Sequence, residues 1–188
     1  MAGAGGLKVL WTFDVHMFPR KHFRPVRKCD ILFEMILVRT ARSMIMRSIL
    51  NLNDNWIFLK GVSDVPAVLP EEGEKVNLPH TWNGVDGQDG GNDYFRGACC
   101  YVKKLSKGEL PGEKQCYLEI CGANSSADVY LDGRRLAHHD GGYSTWRVNL
   151  TGELAEENLL AVVVDNAPND DVYPQTADFT FYGGSIGA

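Results

Sequence analysis

At 188 residues, with 44% hydrophobic and 23% charged residues, the chain has the size and composition of one globular domain with room for a tail. No stretch approaches the ~18 apolar residues of a membrane span. The N-terminus also lacks the basic start, the apolar stretch and the small-residue cleavage site that follow one another in a secretion signal. The net charge of −5 is unevenly spread, because residues 1–48 carry nine Lys or Arg against three Asp or Glu. The rest of the chain, residues 49–188, is acidic, which argues against nucleic acid as a partner because phosphate binding needs clustered positive charges.

The first 45 residues differ from the rest of the chain. They contain the basic, proline-interrupted run MFPRKHFRPVRK and show no regular hydrophobic period. We therefore predict that residues 1–45 form an atypical basic extension that is disordered or packs poorly, and that the domain occupies residues 46–188. A basic arm that binds phosphate or an anionic membrane is the alternative, but its charges lack amphipathic spacing.

From Asn55 onward, short segments rich in β-branched and aromatic residues alternate with turns. This pattern is typical of an all-β sandwich or barrel. A single helical turn is predicted at residues 151–157, with Thr151 as its N-cap. The predicted strands are 56–60, 75–78, 98–105, 116–121, 127–131, 135–139, 145–150, 159–165 and 178–182.

Two segments give the strongest local signals. In VYLDGRRLAHH, the pair Asp132-Gly133 supplies the positive φ angles of a type I′ hairpin turn. The alternation around it predicts that Val129, Leu131 and Leu136 face the core. The continuous apolar run 159–164 predicts a central strand that is covered on both faces.

The five cysteines form no zinc-binding pattern, and their number is odd. Neighbouring strand residues point to opposite faces, so Cys99 and Cys100 cannot share one environment. Buried thiols in a reducing compartment are the simplest interpretation, and we expect a cytoplasmic protein. The cysteines are Cys29, Cys99, Cys100, Cys116 and Cys121.

Residues 83–93, NGVDGQDGGND, concentrate four glycines and three aspartates. A tight solvated turn is the simplest interpretation, and sugar contact or calcium binding through Asp86, Asp89 and Asp93 are the alternatives. The spacing does not fit an EF-hand loop. His138-His139-Asp140 is a weak metal pattern, because adjacent strand residues face opposite ways. His80 is expected to be a packed loop residue, and we predict no metal and no cofactor.

Six segments of the chain carry a family resemblance through their order and spacing. They are LNDNWIFLKG, VNLPHTWN, NDYFRGACCYVKKL, YLEICGANSSADVYLDGRRLAHHDGGYSTWRVNLTGEL, ENLLAVVVDN and DFTFYGG. Together they resemble the sugar-binding domain that opens glycoside hydrolase family 2 enzymes. The resemblance covers residues 46–184 and is nearest to bacterial β-galactosidases, while β-glucuronidases and β-mannosidases share the domain. It implies an all-β, jelly-roll β-sandwich similar to galactose-binding domains.

The resemblance also implies that catalysis and sugar contact lie in different domains of the longer enzyme. Retaining hydrolysis in this family uses two glutamates on a later barrel, about 5 Å apart. The acid/base lies in an Asn-Glu pair, and this sequence contains no Asn-Glu dipeptide. We therefore predict that the chain holds no catalytic residue. The family's first domain instead contacts the sugar, and the matching positions are Asp178 and, more loosely, Asp93 and Tyr94.

After Gly184 the sequence departs from the family, whose members continue into a last strand of the sandwich. We therefore expect a C-terminally truncated sandwich with an uncovered edge that favours self-association. A free-standing carbohydrate-binding module is the alternative function, and an interaction domain without a ligand is a third. The predicted partner is a galactoside sugar in the full-length enzyme, with neither nucleic acid nor membrane.

Overall fold

The computed structural model describes residues 8–11, 48–84, 95–110, 115–172 and 183–184. These residues form ten β-strands and one short 3-10 helix, Lys107–Glu109. The strands are β1 (Lys8–Trp11), β2 (Ile49–Asn51), β3 (Trp56–Leu59), β4 (Glu74–Val76), β5 (Ala98–Ser106), β6 (Cys116–Ile120), β7 (Ser126–Leu131), β8 (Arg134–Asp140), β9 (Trp146–Asn149) and β10 (Glu157–Asp165).

The strands form two sheets in which every described pair is antiparallel. One sheet has the order β2-β1-β6-β9 and the other the order β4-β3-β5-β10-β7-β8. Large apolar side chains from both sheets are fully buried between them, including Trp56, Leu118 and Leu160. Burying one such side chain contributes about 1.5–3 kcal/mol. The prediction of an all-β sandwich is confirmed.

Strand β10 is covered on both faces, as its unbroken apolar run predicted. Leu160, Val162 and Val164 face the core between the sheets. Ala161 and Val163 belong to a second buried cluster on the other face. This strand pairs with β5 along nine residues and with β7 along six. Its central position makes it the main support of the larger sheet.

The adjacent cysteines on β5 point to opposite faces, as expected. Cys99 lies in the core and Cys100 in the outer cluster. Burial, together with the neighbouring Cys99, raises the pKa of the Cys100 thiol to about 12. Burial alone raises the pKa of Cys116 to about 12. Both thiols are therefore protonated and unreactive at neutral pH, while Cys29 lies outside the described residues.

The hairpin between β7 and β8 has the predicted turn. Asp132 and Gly133 have φ angles of 51° and 79°, as a type I′ turn requires. The Asp132 carboxylate also accepts a hydrogen bond from Leu159 N at 2.7 Å, which ties the turn to β10. Val129 and Leu131 are buried, and Leu136 packs against the core.

Two sequence-based expectations need correction. The predicted helical turn at residues 151–157 is wrong, because this segment is a turn that leads into β10 at Glu157. Thr151 does not cap a helix, since its hydroxyl accepts a hydrogen bond from the backbone N–H of Cys116 at 3.0 Å. The Asn158 side chain binds both the N–H and the carbonyl of Ala155, which holds the segment in its non-helical form.

The second correction concerns the N-terminal extension. Residues Lys8–Trp11 form β1, which lies between β2 and β6 in the four-stranded sheet. The expected disorder of residues 1–45 therefore does not hold for these four. A strand this short shows no readable period, so only its pairing reveals it. The boundary at residue 46 otherwise stays a prediction.

Several predicted features lie outside the described residues. They include the strand at 178–182, most of the 83–93 loop and the chain after Gly184. Within the described part, no helix is both long enough and apolar enough to cross a membrane.

Candidate functional site

The two ends of the sandwich are built differently. At one end, Asp165 of β10 pairs with Ala98 and Ser126. We call this the loop end, and we call the opposite end, with the Asp132-Gly133 turn, the turn end. The loop end consists of residues 81–84, 95–97, 122–125, 165–167 and 183–184.

Gly183 and Gly184 are held at the loop end from two sides. The Thr81 hydroxyl donates a hydrogen bond to the Gly183 carbonyl at 2.7 Å. Gly184 forms antiparallel bridges with both Thr81 and Asn124. Both glycines are buried. This short segment therefore joins two loops that are distant in sequence.

The close packing under these residues requires glycine. A Cβ atom at Gly183 would lie 2.2 Å from the Trp82 indole, and one at Gly184 would lie 2.6 Å from the Tyr101 hydroxyl. Gly184 also has a φ of +84°, which L side chains rarely adopt. The Gly-Gly pair in the sequence is thus explained by contact with an aromatic floor.

A second fixed point is the carbonyl of Phe95. This oxygen accepts hydrogen bonds from Trp82 Nε1 at 3.3 Å, Asn83 Nδ2 at 3.1 Å and Asn166 Nδ2 at 3.3 Å. Asn166 is fully buried, and its Oδ1 accepts from Gly97 N at 2.8 Å. Because buried amides are costly to leave unpaired, this network specifies one arrangement of the loops.

The floor of the loop end is aromatic. The Phe58 ring stacks on Trp82 with centroids 5.9 Å apart and meets Tyr101 at 5.0 Å. His80 packs edge-on against Phe58 at 4.7 Å, and its Nδ1 lies 2.9 Å from the Tyr101 hydroxyl. Burial lowers the pKa of His80, although the charge of Glu74 opposes the shift. His80 is therefore the packed loop residue that the sequence predicted.

The histidine pair on β8 does not converge on one point. His138 lies 2.7 Å from Asp128 and 3.1 Å from Asp140. His139 instead lies 2.7 Å from the Ser144 hydroxyl and stacks on Trp146. Among the described residues, no group of three or more His, Cys, Asp or Glu is placed to hold a metal ion.

The three predicted sugar-contacting residues, Asp93, Tyr94 and Asp178, lie outside the described residues. Their roles stay predictions. The described residues that flank their two segments are informative, because Phe95 follows one segment and Gly183 follows the other. Both are held by the turn at residues 81–83.

Sequence reasoning missed the polar residues that assemble this end. Thr81, Asn83, Asn124 and Asn166 bind backbone or side-chain groups far along the chain. Their one local signal is a polar residue beside a strand end, as where Asn166 directly follows β10. That position alone does not predict which distant residue each side chain will bind.

No family model matches the chain. Individual relatives do. A β-glucuronidase of Bacteroides fragilis is 32% identical over 170 residues, which cover 89% of this chain and 24% of the relative. A putative β-glucuronidase of Formosa agariphila is 33% identical over 138 residues, or 71% of this chain and 17% of the relative. A β-galactosidase of Thermoanaerobacterium thermosulfurigenes is 30% identical over 156 residues, or 74% and 20%.

Solved structures agree in fold. The FMN-binding β-glucuronidase from Facaelibacterium prausnitzii matches with a TM-score of 0.63 and 34% identity, over 74% of this chain and 21% of that one. The chain belongs to glycoside hydrolase family 2. It spans between 17% and 24% of the length of the relatives named above, so it corresponds to one part of such family 2 proteins.

The sequence resemblance to family 2 is thereby confirmed. The relatives carry both enzyme names, and two of the three named above are β-glucuronidases, whereas the sequence motifs are nearest to β-galactosidases.

Proposed function

We propose that the chain is the non-catalytic, N-terminal sugar-binding domain of a family 2 retaining glycoside hydrolase, and that its loop end forms one wall of the sugar pocket. One observation carries this proposal. The segments that bear Asp93, Tyr94 and Asp178 both adjoin residues that the turn at 81–83 holds together. In sandwich proteins, loops that a rigid scaffold positions at one end commonly carry binding.

The chemistry of these three residues suits a sugar. A carboxylate such as Asp178 can accept hydrogen bonds from two vicinal hydroxyls, strengthened by its charge. Tyr94 and Asp93 would add contacts from the second segment. The proposed ligand is a β-galactoside or a β-glucuronide, in line with the names of the relatives.

Hydrolysis itself is assigned to other parts of the longer protein. A retaining mechanism needs two carboxyl groups about 5 Å apart, one as nucleophile and one as acid/base. The acid/base of this family lies in an Asn-Glu pair, which the sequence lacks. We therefore expect the purified chain to bind sugar weakly without cleaving an aryl galactoside or an aryl glucuronide.

Titration by NMR with methyl β-D-galactoside and methyl β-D-glucuronide tests the proposal. Contacts within the chain fix the loop end, so we expect one of the two sugars to bind with a Kd of about 1 mM, worth about 4 kcal/mol. Asp178→Asn should weaken binding about tenfold, the scale of one lost charge-assisted hydrogen bond. Asp64→Asn, at an exposed loop position, is the matched control and should change nothing.

Other outcomes would redirect or overturn the proposal. A Kd of about 1 μM for the chain alone would favour the free-standing module, since a single wall of a shared pocket makes too few contacts for that affinity. No binding of either sugar, or equal binding by the Asp178→Asn protein, would contradict the proposed site.

A further inference from the structure

Three consecutive residues contact both flanks of the loop end. Thr81 binds Gly183, which is 102 residues away in the sequence. Trp82 and Asn83 bind Phe95, which is 13 and 12 residues away. The turn at residues 81–83 thus hydrogen-bonds to both Phe95 and Gly183.

The Thr81 hydroxyl makes two hydrogen bonds of opposite sense. It accepts from the backbone N–H of Asn83 at 3.3 Å and donates to the Gly183 carbonyl at 2.7 Å. A hydroxyl has one donor and two acceptor positions, so one group can serve both contacts. The hydroxyl therefore links the shape of the turn directly to the position of Gly183.

Asn83 connects the same turn to Phe95 and Asn166. Its Nδ2 donates to the Phe95 carbonyl, and its Oδ1 accepts from Asn166 Nδ2 at 3.2 Å. Trp82 lies between the two contacts, with one edge on Phe95 and its ring against Gly183 and Gly184. A shift of either flank thus requires the whole turn to move.

We propose that Thr81 and Asn83 are positioning residues that set the Phe95 and Gly183 flanks relative to each other, and that sugar affinity depends on this setting. The inference rests on the proposed function of the loop end. A misplacement of about 1 Å in a binding surface is enough to lose much of its affinity. Neither residue needs to touch the sugar.

The turn end supplies a matched control. The Thr151 hydroxyl accepts a hydrogen bond from Cys116 N at 3.0 Å, a threonine-to-backbone contact at the opposite end of the sandwich. Thr151→Val and Thr81→Val remove the same hydroxyl and keep the same side-chain shape. The Thr151 hydroxyl also donates to the Cys116 carbonyl at 3.5 Å, so each variant loses one accepted and one donated hydrogen bond. Each should therefore lower the melting temperature by a similar amount. Only Thr81→Val should lower the affinity for the sugar.

The experiment measures sugar affinity and melting temperature in parallel for the 188-residue chain. The probe is whichever of methyl β-D-galactoside and methyl β-D-glucuronide binds the wild type. We expect Thr81→Val to weaken binding about tenfold, and Thr81→Ser, which keeps the hydroxyl, to restore it to within about twofold. Asn83→Ala should weaken binding to a similar degree. The double substitution Thr81→Val/Asn83→Ala should weaken it less than the product of the two, because both act on one arrangement.

The outcomes separate this inference from the proposed function. Wild-type chain that binds neither sugar overturns both. Wild-type chain that binds sugar overturns the positioning role alone if Thr81→Val binds equally well, if Thr81→Ser fails to restore binding, or if Thr151→Val weakens binding as much as Thr81→Val does.

Discussion

The two ends of the sandwich are closed by contacts of different range. At the turn end, side-chain hydrogen bonds of the described residues span up to 53 residues, as where Asn158 binds both Ala155 and Leu105. At the loop end, Thr81 reaches Gly183 across 102 residues and Asn166 reaches Asn83 across 83. Polar contacts between segments so far apart in sequence fix one particular arrangement of loops. The longest contacts therefore support the proposal that the loop end is the functional one.

The largest effect is expected from a pair of glycine substitutions. Gly184 and Gly152 have similar φ angles, +84° and +77°, but a Cβ at Gly152 meets nothing within 4 Å. Gly152→Ala should therefore cost only the strain of the left-handed backbone, roughly 1–2 kcal/mol. Gly184→Ala should cost about 1–3 kcal/mol more, because its Cβ collides with Tyr101 and Trp82. Urea denaturation measures both, and equal losses would show that the loop end is not tightly packed.

A pair of buried asparagines gives the next largest effect. Asn166 at the loop end and Asn158 at the turn end are both buried and each makes three hydrogen bonds. Replacing either by Ala should lower the free energy of unfolding by about 1–3 kcal/mol, since backbone groups lose their partners. Only Asn166→Ala should shift the amide resonances of Gly97 and Gly184. Identical spectral changes in the two variants would remove the distinction between the ends.

The smallest effect concerns His80 and His138. As pH rises, the contribution of His80 to the free energy of unfolding should increase, and that of His138 should decrease. The pKa of His80 is lowered by burial, against the opposing charge of Glu74. Its contribution is therefore complete above the unfolded pKa of about 6.5 and is lost as pH falls through the lower folded value. For His138, burial lowers the pKa, but hydrogen bonds and charges from Asp128 and Asp140 outweigh it and raise the net value. That contribution is complete below about pH 6.5 and is lost as pH rises through the higher folded value.

Unfolding free energies of the wild type, His80→Gln and His138→Gln between pH 5 and 9 check these signs. The difference between wild type and His80→Gln should grow with pH, and the difference for His138→Gln should shrink. His138 lies at a partly exposed ion pair, so its effect should be on the order of a few tenths of a kcal/mol. Slopes of the same sign would contradict the assignment of one histidine to the interior and the other to the surface.

Self-association through an uncovered sheet edge stays a prediction. The two described outer strands of the larger sheet, β4 and β8, carry the charged residues Glu74, Lys75, Arg134 and Arg135. Charges on an edge strand oppose pairing with another chain, so these two outer strands argue against the expected association. Sedimentation velocity at rising concentration tests the expected association, and a monomer throughout would contradict it.

The parts of the molecule that the sequence predicted are those that local chemistry decides. The Asp132-Gly133 turn and the doubly covered β10 follow from neighbouring residues alone. The helical turn at 151–157 failed because the side chain of Asn158 closes a different turn. The long-range contacts of Thr81 and Asn166 could not be predicted, since their partners lie 69 to 102 residues away in the sequence. Strand β1 could not be predicted either, because it is defined by pairing with β2 and β6, which are distant in sequence.

Whether the loop end binds the sugar is tested most directly by mapping amide shifts in the isotope-labelled chain during titration with methyl β-D-galactoside and methyl β-D-glucuronide. We expect the amides of Asn83, Gly97, Asn166 and Gly184 to shift together with one Kd, while those of Gly133 and Asn158 at the turn end stay in place. Shifts concentrated at the turn end, or none at the loop end with either sugar, would contradict the assignment of sugar recognition to the loop end.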